Sequence, residues 1–240
     1  MGKPKEREDG APWRNFYGRR HGKKLRDSQI KLLEERLPEL TPQGVAWAEN
    51  PDRGAVDFRS MIPYAREAWL EIGFGGGEQM IAMAAANPDV ALIGCEPFIN
   101  GVAMCLTALE TAGVDNVRLH PGDAREIFDV AANGAFSRIF VNYPDPWPKS
   151  RHHKRRFIGP DNIPHLARIA APGARLHIAS DIPDYIRHSI EVLDAEPRFE
   201  WSANGPADWR RPWSDWPGTR YEAKALREGR TPCYLTYIRT

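Results

Sequence analysis

Short apolar runs alternate with segments of helical length along most of the chain, from residue 68 onward. Continuous or alternating apolar positions over a few residues favour β-strands, whereas longer segments with spaced apolar positions favour helices. The predicted strands are residues 68–74, 91–95, 117–120, 138–143, 174–179 and 233–239. The predicted helices are residues 78–86, 100–112, 124–132, 162–170 and 184–193. This order predicts an α/β fold whose sheet is mostly parallel and carries helices on both faces.

The length and composition of the chain fit one globular domain preceded by an arm. With 240 residues, 42% of them hydrophobic, the chain can bury a full core without disulfide or metal staples. Residues 32–67 are predicted to form a helix and an irregular lead-in to the sheet. We therefore assign residues 32–240 to a single domain and predict that residues 1–31 form a basic, flexible arm.

Nothing in the sequence indicates a membrane or an oxidising compartment. No apolar stretch approaches the roughly 18 residues that span a bilayer, and the first residues carry no signal or myristoylation pattern. The three cysteines are an odd number without a close pair, which predicts small core residues rather than disulfides or zinc ligands. We expect a cytoplasmic protein that has no membrane partner.

Positive charge is concentrated in the arm. The whole chain has a net charge of +1, but residues 1–31 contain ten cations and four acids, so the arm carries +6 and the rest carries −5. Trp13, Phe16 and Tyr17 lie among these cations. Such a composition suits an arm that neutralises phosphates and stacks on exposed bases, but it suits a solvated tail equally well.

A glycine cluster follows the first predicted strand, with glycines at Gly73, Gly75 and Gly77. Ligands of an open parallel sheet bind at the carboxyl ends of the strands, and glycines allow the backbone to turn sharply and approach them. The third glycine position of the dinucleotide fingerprint is occupied by Met80, which argues against a pyrophosphate cofactor. A purely structural turn is the alternative.

Acidic residues stand at or near the ends of the first three strands. Glu71 lies within a strand predicted to be buried, where a carboxylate needs a partner such as the amino group of a methionine moiety. Glu96 follows the glycines at the distance typical of an acid that binds a ribose diol. Asp123 follows the third strand, where it also forms a capping-box pattern with Glu126, and both roles are compatible. These acids predict an adenosyl ligand without a pyrophosphate.

The segment after the fourth strand contains Pro144, Pro146 and Pro148, which predict a stiff loop with Asp145 at its tip. Trp147 is expected to brace this loop rather than to stack on a base. A block without acids follows, in which phosphates can be held by Lys149, Arg151, Lys154, Arg155 and Arg156. Its two histidines, His152 and His153, have no nearby residues that would complete a metal site.

These motifs, together with residues 219–222, resemble the bacterial tRNA (guanine-N7)-methyltransferase family over about residues 13–240. The resemblance implies that residues 32–240 form a methyltransferase domain, with a Rossmann-like class I methyltransferase sheet of seven strands, the last of them antiparallel. It also implies S-adenosylmethionine as methyl donor and methylation of the guanosine at position 46 in the variable loop of tRNA. The expected partner is tRNA, and no obligatory protein partner is inferred.

Carried over position by position, the resemblance implies that Asp145 is catalytic and lies near the methyl donor. Cofactor contacts are expected for Glu71, Gly73, Gly75, Glu96, Asp123 and Asp145. Substrate contacts are expected for Lys149, Asp181, Thr219, Arg220, Tyr221 and Glu222, and no metal is expected. Without the resemblance, Asp181 could equally cap the helix predicted to follow it.

The chemistry of guanine agrees with this interpretation. Guanine N7 already offers an in-plane lone pair, so it needs no general base before it attacks a methyl group. A carboxylate can accept hydrogen bonds from N1–H and N2–H₂ of guanine, and Asp145, Asp181 and Glu222 are all candidates. A methyltransferase for exocyclic amines and a catalytically silent RNA-binding protein are the competing functions. Residues 144–147 do not match the N-P-P-aromatic box of the former, and the retained acids argue against the latter.

Overall fold

The computed structural model of the chain describes Ala11 and residues 14–240. The strands are β1 (Glu67–Ile72), β2 (Val90–Cys95), β3 (Val117–His120), β4 (Phe136–Asn142), β5 (Ala170–Ser180), β6 (Phe199–Trp201) and β7 (Cys233–Arg239). They form one sheet in the order β3-β2-β1-β4-β5-β7-β6. The pairs from β3 to β5 are parallel, whereas β7 runs antiparallel to both β5 and β6. The predicted parallel sheet with an antiparallel last strand is therefore confirmed.

The helices cover both faces of this sheet. They are α1 (Asp27–Glu35), α2 (Leu37–Leu40), α3 (Glu78–Ala86), α4 (Ile99–Ala112), α5 (Ala124–Val130), α6 (Ile163–Ile169), α7 (Pro183–Asp194), α8 (Pro206–Arg210) and α9 (Arg220–Arg227). Two 3₁₀ helices span Arg59–Met61 and Ser150–Arg155. Leu70 of β1 packs into a core with α5, α6 and α7, while its neighbour Trp69 packs into a second core with α2, α3 and α4. This alternation follows the two-residue repeat of a strand.

Most predicted elements lie where the sequence indicates, with differences at particular residues. The predictions for β3 and α3 agree with the structure at every residue. Strand β5 begins at Ala170 rather than at residue 174. Pro172 and Gly173, which are unusual within a strand, lie in this extension beside an irregularity in the pairing of β5 with β4. The periodicity did not locate β6, which has three residues, or α9, which follows a stretch rich in proline and tryptophan.

The described part of the arm packs against the domain. Arg14 forms two hydrogen bonds of 2.7 Å with Asp129 at the end of α5. Further along, the carbonyl of Arg20 accepts a hydrogen bond from the backbone N–H of Ile99 at 3.0 Å. Trp13 and the first three cations of the arm lie outside the described residues. The boundary predicted at residue 31 falls inside α1, because this helix already begins at Asp27.

None of the helices in the described part of the chain is long and apolar enough to cross a membrane. The cysteines are free thiols: Cys95 and Cys105 are buried, and Cys233 is half-buried. Their placement agrees with the predicted role as small core residues.

Candidate active site

The loop between β1 and α3 depends on glycine at three positions. Gly73, Gly75 and Gly77 have φ angles of 78°, 56° and 81°, which side chains rarely adopt. A Cβ atom on Gly77 would lie 2.4 Å from Sγ of Cys105, so α4 packs directly on the loop. A Cβ atom on Gly73 would meet no heavy atom within 4 Å. The backbone of Gly73 therefore borders open space at the carboxyl end of β1.

Glu96 anchors this loop from the end of β2. Its carboxylate accepts hydrogen bonds from the backbone N–H of Gly75 at 2.8 Å and from that of Phe98 at 2.9 Å. Burial raises the pKa of Glu96, these two hydrogen bonds lower it, and the negative charge of Asp145 raises it further. Glu96 thus joins the glycine loop to the start of α4 and lies within electrostatic reach of Asp145.

Glu71 is a buried carboxyl group without a cation. Its exposed fraction is 6%, and none of the described residues forms an ion pair or side-chain hydrogen bond with its carboxyl group. It lies two residues after Trp69 and therefore points to the face of the sheet covered by α3 and α4. Burial raises its pKa to about 8, and the charges of Glu78 and Glu96 contribute. A cationic ligand group would supply the missing partner.

Asp123 caps α5. Its side chain accepts a hydrogen bond from the backbone N–H of Arg125 at 3.0 Å, as the capping interpretation predicts, and it also pairs with the Arg125 guanidinium. The side chain of Glu126 bonds the ring of His120 at 2.8 Å. Asp123 also lines a cleft of about 580 Å³ that contains Asp145. Asp123 can therefore cap α5 and also face the cleft that contains Asp145.

The proline loop after β4 is strained. Tyr143 and Trp147 have φ angles of 49° and 43°, and a positive φ is costly for a bulky side chain. Arg156 holds the loop in this conformation, since its Nε donates to the carbonyl oxygen of Pro146 at 2.9 Å. The same guanidinium pairs with Asp184 on α7. The residue that follows the loop tip is thus fixed to the body of the domain.

Asp145 itself projects from this loop as an exposed carboxylate. No described residue forms an ion pair or side-chain hydrogen bond with it. Burial raises the pKa of the Tyr221 hydroxyl, and the charges of Glu96 and Asp145 are among those that raise it further. Asp145, Glu96 and Tyr221, which belong to three separate segments, therefore lie within electrostatic reach of one another at the carboxyl edge.

Trp147 packs within the protein. The guanidinium of Arg155 lies 4.9 Å from the centre of its ring, and Tyr17 of the arm meets it edge to face at 6.3 Å. Arg155 also lies over the ring of Tyr17 at 4.7 Å. The arm, the proline loop and the basic 3₁₀ helix are therefore joined by one cluster of cation–π and aromatic contacts.

The segment from residue 219 begins α9. Thr219 caps this helix by accepting a hydrogen bond from the N–H of Glu222 at 3.1 Å. The ring of Tyr221 is half exposed, stacks on Tyr143 at 6.3 Å and lies 3.4 Å from the Cβ position of Gly75. This packing brings Tyr221 over the glycine loop.

Three of the charged residues expected to bind substrate already have protein partners. Glu222 accepts hydrogen bonds from Trp216 at 2.9 Å and from Tyr234. Arg220 pairs with Glu78 of α3, and Asp181 pairs with Arg230. Asp181 does not cap α7, whose N-cap is Ile182. Among the three carboxylates considered for guanine, Asp145 is the one that no described residue binds.

The basic block differs from its prediction at one residue. Arg156 was expected to hold phosphates, but its side chain has no exposed surface and pairs with Asp184, so it cannot reach a phosphate. Lys149, Arg151 and Lys154 are exposed. Nothing in the run of cations distinguishes Arg156, because its role depends on Asp184, which lies far away in sequence. No group of acid, cysteine and histidine side chains in the described residues could hold a metal ion.

Comparison with known proteins agrees with this geometry. Residues 65–235 match the model of a protein family described as "Putative methyltransferase". A tRNA (guanine-N(7)-)-methyltransferase from Ruegeria sp. (strain TM1040) is 54% identical over 96% of this chain and 89% of its own length. The protein of the same name from Rhodospirillum rubrum is 46% identical over 93% of this chain and 87% of its own length. The chain belongs to the tRNA (guanine-N(7)-)-methyltransferase family.

Solved structures show that this family member has a class I methyltransferase fold. The 16S rRNA methyltransferase KamB has a TM-score of 0.55 at 14% identity, covering 76% of this chain and 91% of its own. A mutant 16S rRNA (adenine(1408)-N(1))-methyltransferase from Catenulisporales acidiphilia has a TM-score of 0.51 at 17% identity, covering 80% and 91%. The predicted Rossmann-like sheet is confirmed.

The carboxyl edge of this tRNA (guanine-N(7)-)-methyltransferase family member fits S-adenosylmethionine, the methyl donor of the family. Gly73 leaves open space beside the backbone, and Glu71 offers a buried carboxyl group that lacks a cation. Glu96 and Asp123 supply acceptors at the ends of the next two strands. These acceptors therefore suit a ligand that donates from one ammonium group and from sugar hydroxyls, as S-adenosylmethionine does.

Proposed function

We propose that this protein methylates N7 of a guanosine in tRNA, at position 46 of the variable loop. The observation that carries the proposal is the exposed carboxylate of Asp145, which no described residue binds and which lies within electrostatic reach of Glu96 and Tyr221. The names of the relatives support tRNA as the substrate and N7 as the acceptor atom.

The cofactor is held by residues of the glycine edge in this proposal. Glu71 pairs with the amino group, Glu96 accepts from the ribose, and Asp123 lies toward the adenine, with the backbone of Gly73 and Gly75 close to the ligand. When bound, S-adenosylmethionine supplies an electrophilic methyl group on a sulfonium. The protein keeps the carboxyl groups in place and needs no general base at guanine N7.

Asp145 recognises the guanine in this proposal. It accepts hydrogen bonds from N1–H and N2–H₂, a donor pair that adenine lacks, and its negative charge favours the cationic ring of the product. Its freedom from protein partners favours it over Asp181 and Glu222 for this role. Lys149 and residues 219–222 form the neighbouring tRNA contacts, with Tyr221 as the exposed aromatic surface.

The decisive experiment incubates the protein with unmodified tRNA and methyl-labelled S-adenosylmethionine and maps the methylated atom. Label on N7 of guanosine 46, absent from a transcript with adenosine at that position, is the expected result. Label on an exocyclic amine would overturn the assignment. Calorimetry that shows no binding of S-adenosylmethionine would instead favour a silent RNA-binding protein.

A further inference from the structure

A second cleft lies on the glycine loop, separate from the one that contains Asp145. Its volume is about 520 Å³, and it shares no lining residue with the first cleft. The arm passes from one to the other, since residues 14–18 line the first cleft and Lys23, Lys24 and Arg26 line the second. Gly76 and Arg220 form the wall nearest the active site.

The cations of this cleft are mostly unpaired. Arg220 pairs with Glu78, and Glu78 is the one acidic residue among the described residues that line the cleft. Lys23, Lys24 and Arg26 form no ion pair with any described residue, and all three are exposed. The cleft therefore carries an excess of three positive charges, whose mutual repulsion an anionic ligand would relieve.

The segment that carries these cations is fixed to α4. The side chain of Asn100, in the first turn of this helix, accepts a hydrogen bond from the N–H of Gly22 at 2.7 Å. The same side chain donates to the carbonyl of Lys23 at 2.7 Å. Earlier in the same segment, the carbonyl of Arg20 accepts a hydrogen bond from the backbone N–H of Ile99. The three cations thus belong to a built surface, which distinguishes them from charges on a freely moving tail.

We propose that this basic cleft binds the sugar–phosphate backbone of the tRNA substrate, and the inference rests on the proposed function. The cleft reaches Arg220, the neighbour of Tyr221, and so it continues directly from the expected nucleoside contacts. Lys149, Arg151 and Lys154 form a second exposed basic surface beside the site. The tRNA backbone is held at both surfaces, while the target guanosine enters beside Asp145.

The test measures how tRNA affinity depends on salt. Each lost phosphate contact reduces the slope of log K against log[salt] by about 0.7 to 0.9. The triple variant Lys23→Gln, Lys24→Gln, Arg26→Gln should therefore reduce the slope by about 2 and weaken binding about tenfold or more at moderate salt. A charge-matched control, Arg59→Gln, Arg66→Gln, Arg175→Gln, removes three exposed cations away from the carboxyl edge: Arg59 and Arg66 precede β1, and Arg175 pairs with Arg138 near the beginning of β4.

Both triple variants should bind S-adenosylhomocysteine as the wild type does, which checks that the fold and the cofactor site are intact. Equal salt slopes for the two triple variants would overturn the inference, because the cleft would then contribute only general charge. Failure of the wild type to methylate tRNA would instead contradict the proposed function.

A single substitution tests whether the placement of the cations matters. Asn100→Ala keeps every charge but removes both hydrogen bonds that hold residues 22 and 23. We expect tRNA affinity to fall several-fold while S-adenosylhomocysteine affinity is retained. Wild-type tRNA affinity in Asn100→Ala would contradict a built cleft and indicate a tail that acts through charge alone.

Discussion

The buried carboxyl group of Glu71 should release a proton when the cofactor binds. Its pKa is raised to about 8, chiefly by burial, so in the free protein it is mostly protonated at neutral pH. Pairing with a ligand ammonium group requires the ionised form. Binding of S-adenosylmethionine or S-adenosylhomocysteine should therefore expel one proton from Glu71.

The size of the effect follows from the pKa. At pH 7, a group with a pKa of about 8 is protonated in roughly ten of eleven molecules, and ionising it costs about 1.4 kcal/mol. Apparent affinity should rise about tenfold per pH unit between about pH 6 and 7.5. Above that range the rise should stop, since an α-amino group of the ligand itself loses its proton near pH 8.

Titration calorimetry of S-adenosylhomocysteine in two buffers of different ionisation enthalpy counts the released protons. We expect about 0.9 proton per site at pH 7, and almost none in Glu71→Gln, which should bind weakly and without this pH dependence. Glu110→Gln, which removes an exposed carboxylate on α4, should release protons as the wild type does. An affinity independent of pH in the wild-type protein would refute the pairing of Glu71 with the ammonium group.

The same pKa predicts how the ligand-free protein responds to pH. Because the folded-state pKa of Glu71 lies above the ordinary 4.5, the folded state binds the extra proton. The stability that this group contributes is fully present below pH 4.5 and is lost as pH rises through about 8. Glu71→Gln should therefore gain thermal stability relative to the wild type between pH 6 and 9 without ligand. A constant difference over that range would contradict the assignment.

Three further substitutions test the loops of the site. Asp145→Ala should lower the methylation rate about 10²- to 10³-fold at saturating substrates while retaining S-adenosylhomocysteine affinity. Asp145→Asn should also lower the rate. A near wild-type rate would show that another carboxylate recognises the guanine. Arg156→Lys cannot hold both the loop carbonyl and Asp184, so kcat should fall more than tRNA affinity, whereas an unchanged kcat would show that the loop needs no anchor. Gly77→Ala should lower the free energy of unfolding by about 1–3 kcal/mol, measured in urea, because φ is positive. Adding Cys105→Ala should recover only part of that loss, since it removes the contact with Sγ but leaves the contact with Cβ at 3.0 Å and the backbone strain; full recovery would contradict the strain.

The parts of the fold that sequence could predict are those governed by neighbouring residues. Apolar runs located the central strands, and Gly77 with the helix after it marked the start of α3. Asp123 could be recognised as a cap from the acid three residues later, although the N–H that its side chain accepts in the structure is that of Arg125. Strand β6 was not located, because three residues carry too little periodicity.

The parts that sequence could not predict depend on distant partners. Arg156 resembled its basic neighbours until Asp184 and the carbonyl of Pro146 were seen to surround it. The packing of the arm depends on Asn100 and Asp129, neither of which has a recognisable motif. The resemblance supplied the candidate roles of residues 219–222, whereas the packing of Tyr221 over the glycine loop emerged only from the structure.

The position of β7 has a consequence for how the chain folds during synthesis. This strand follows all the others in sequence, yet it lies between β5 and β6 and pairs with both. Until residues 233–239 leave the ribosome, one side of β5 is an open edge with unpaired backbone groups, which invites pairing with other chains. Translation that stops before Cys233 should therefore yield an aggregation-prone product that chaperones and proteases must handle, even though it contains Glu71, Glu96, Asp123 and Asp145.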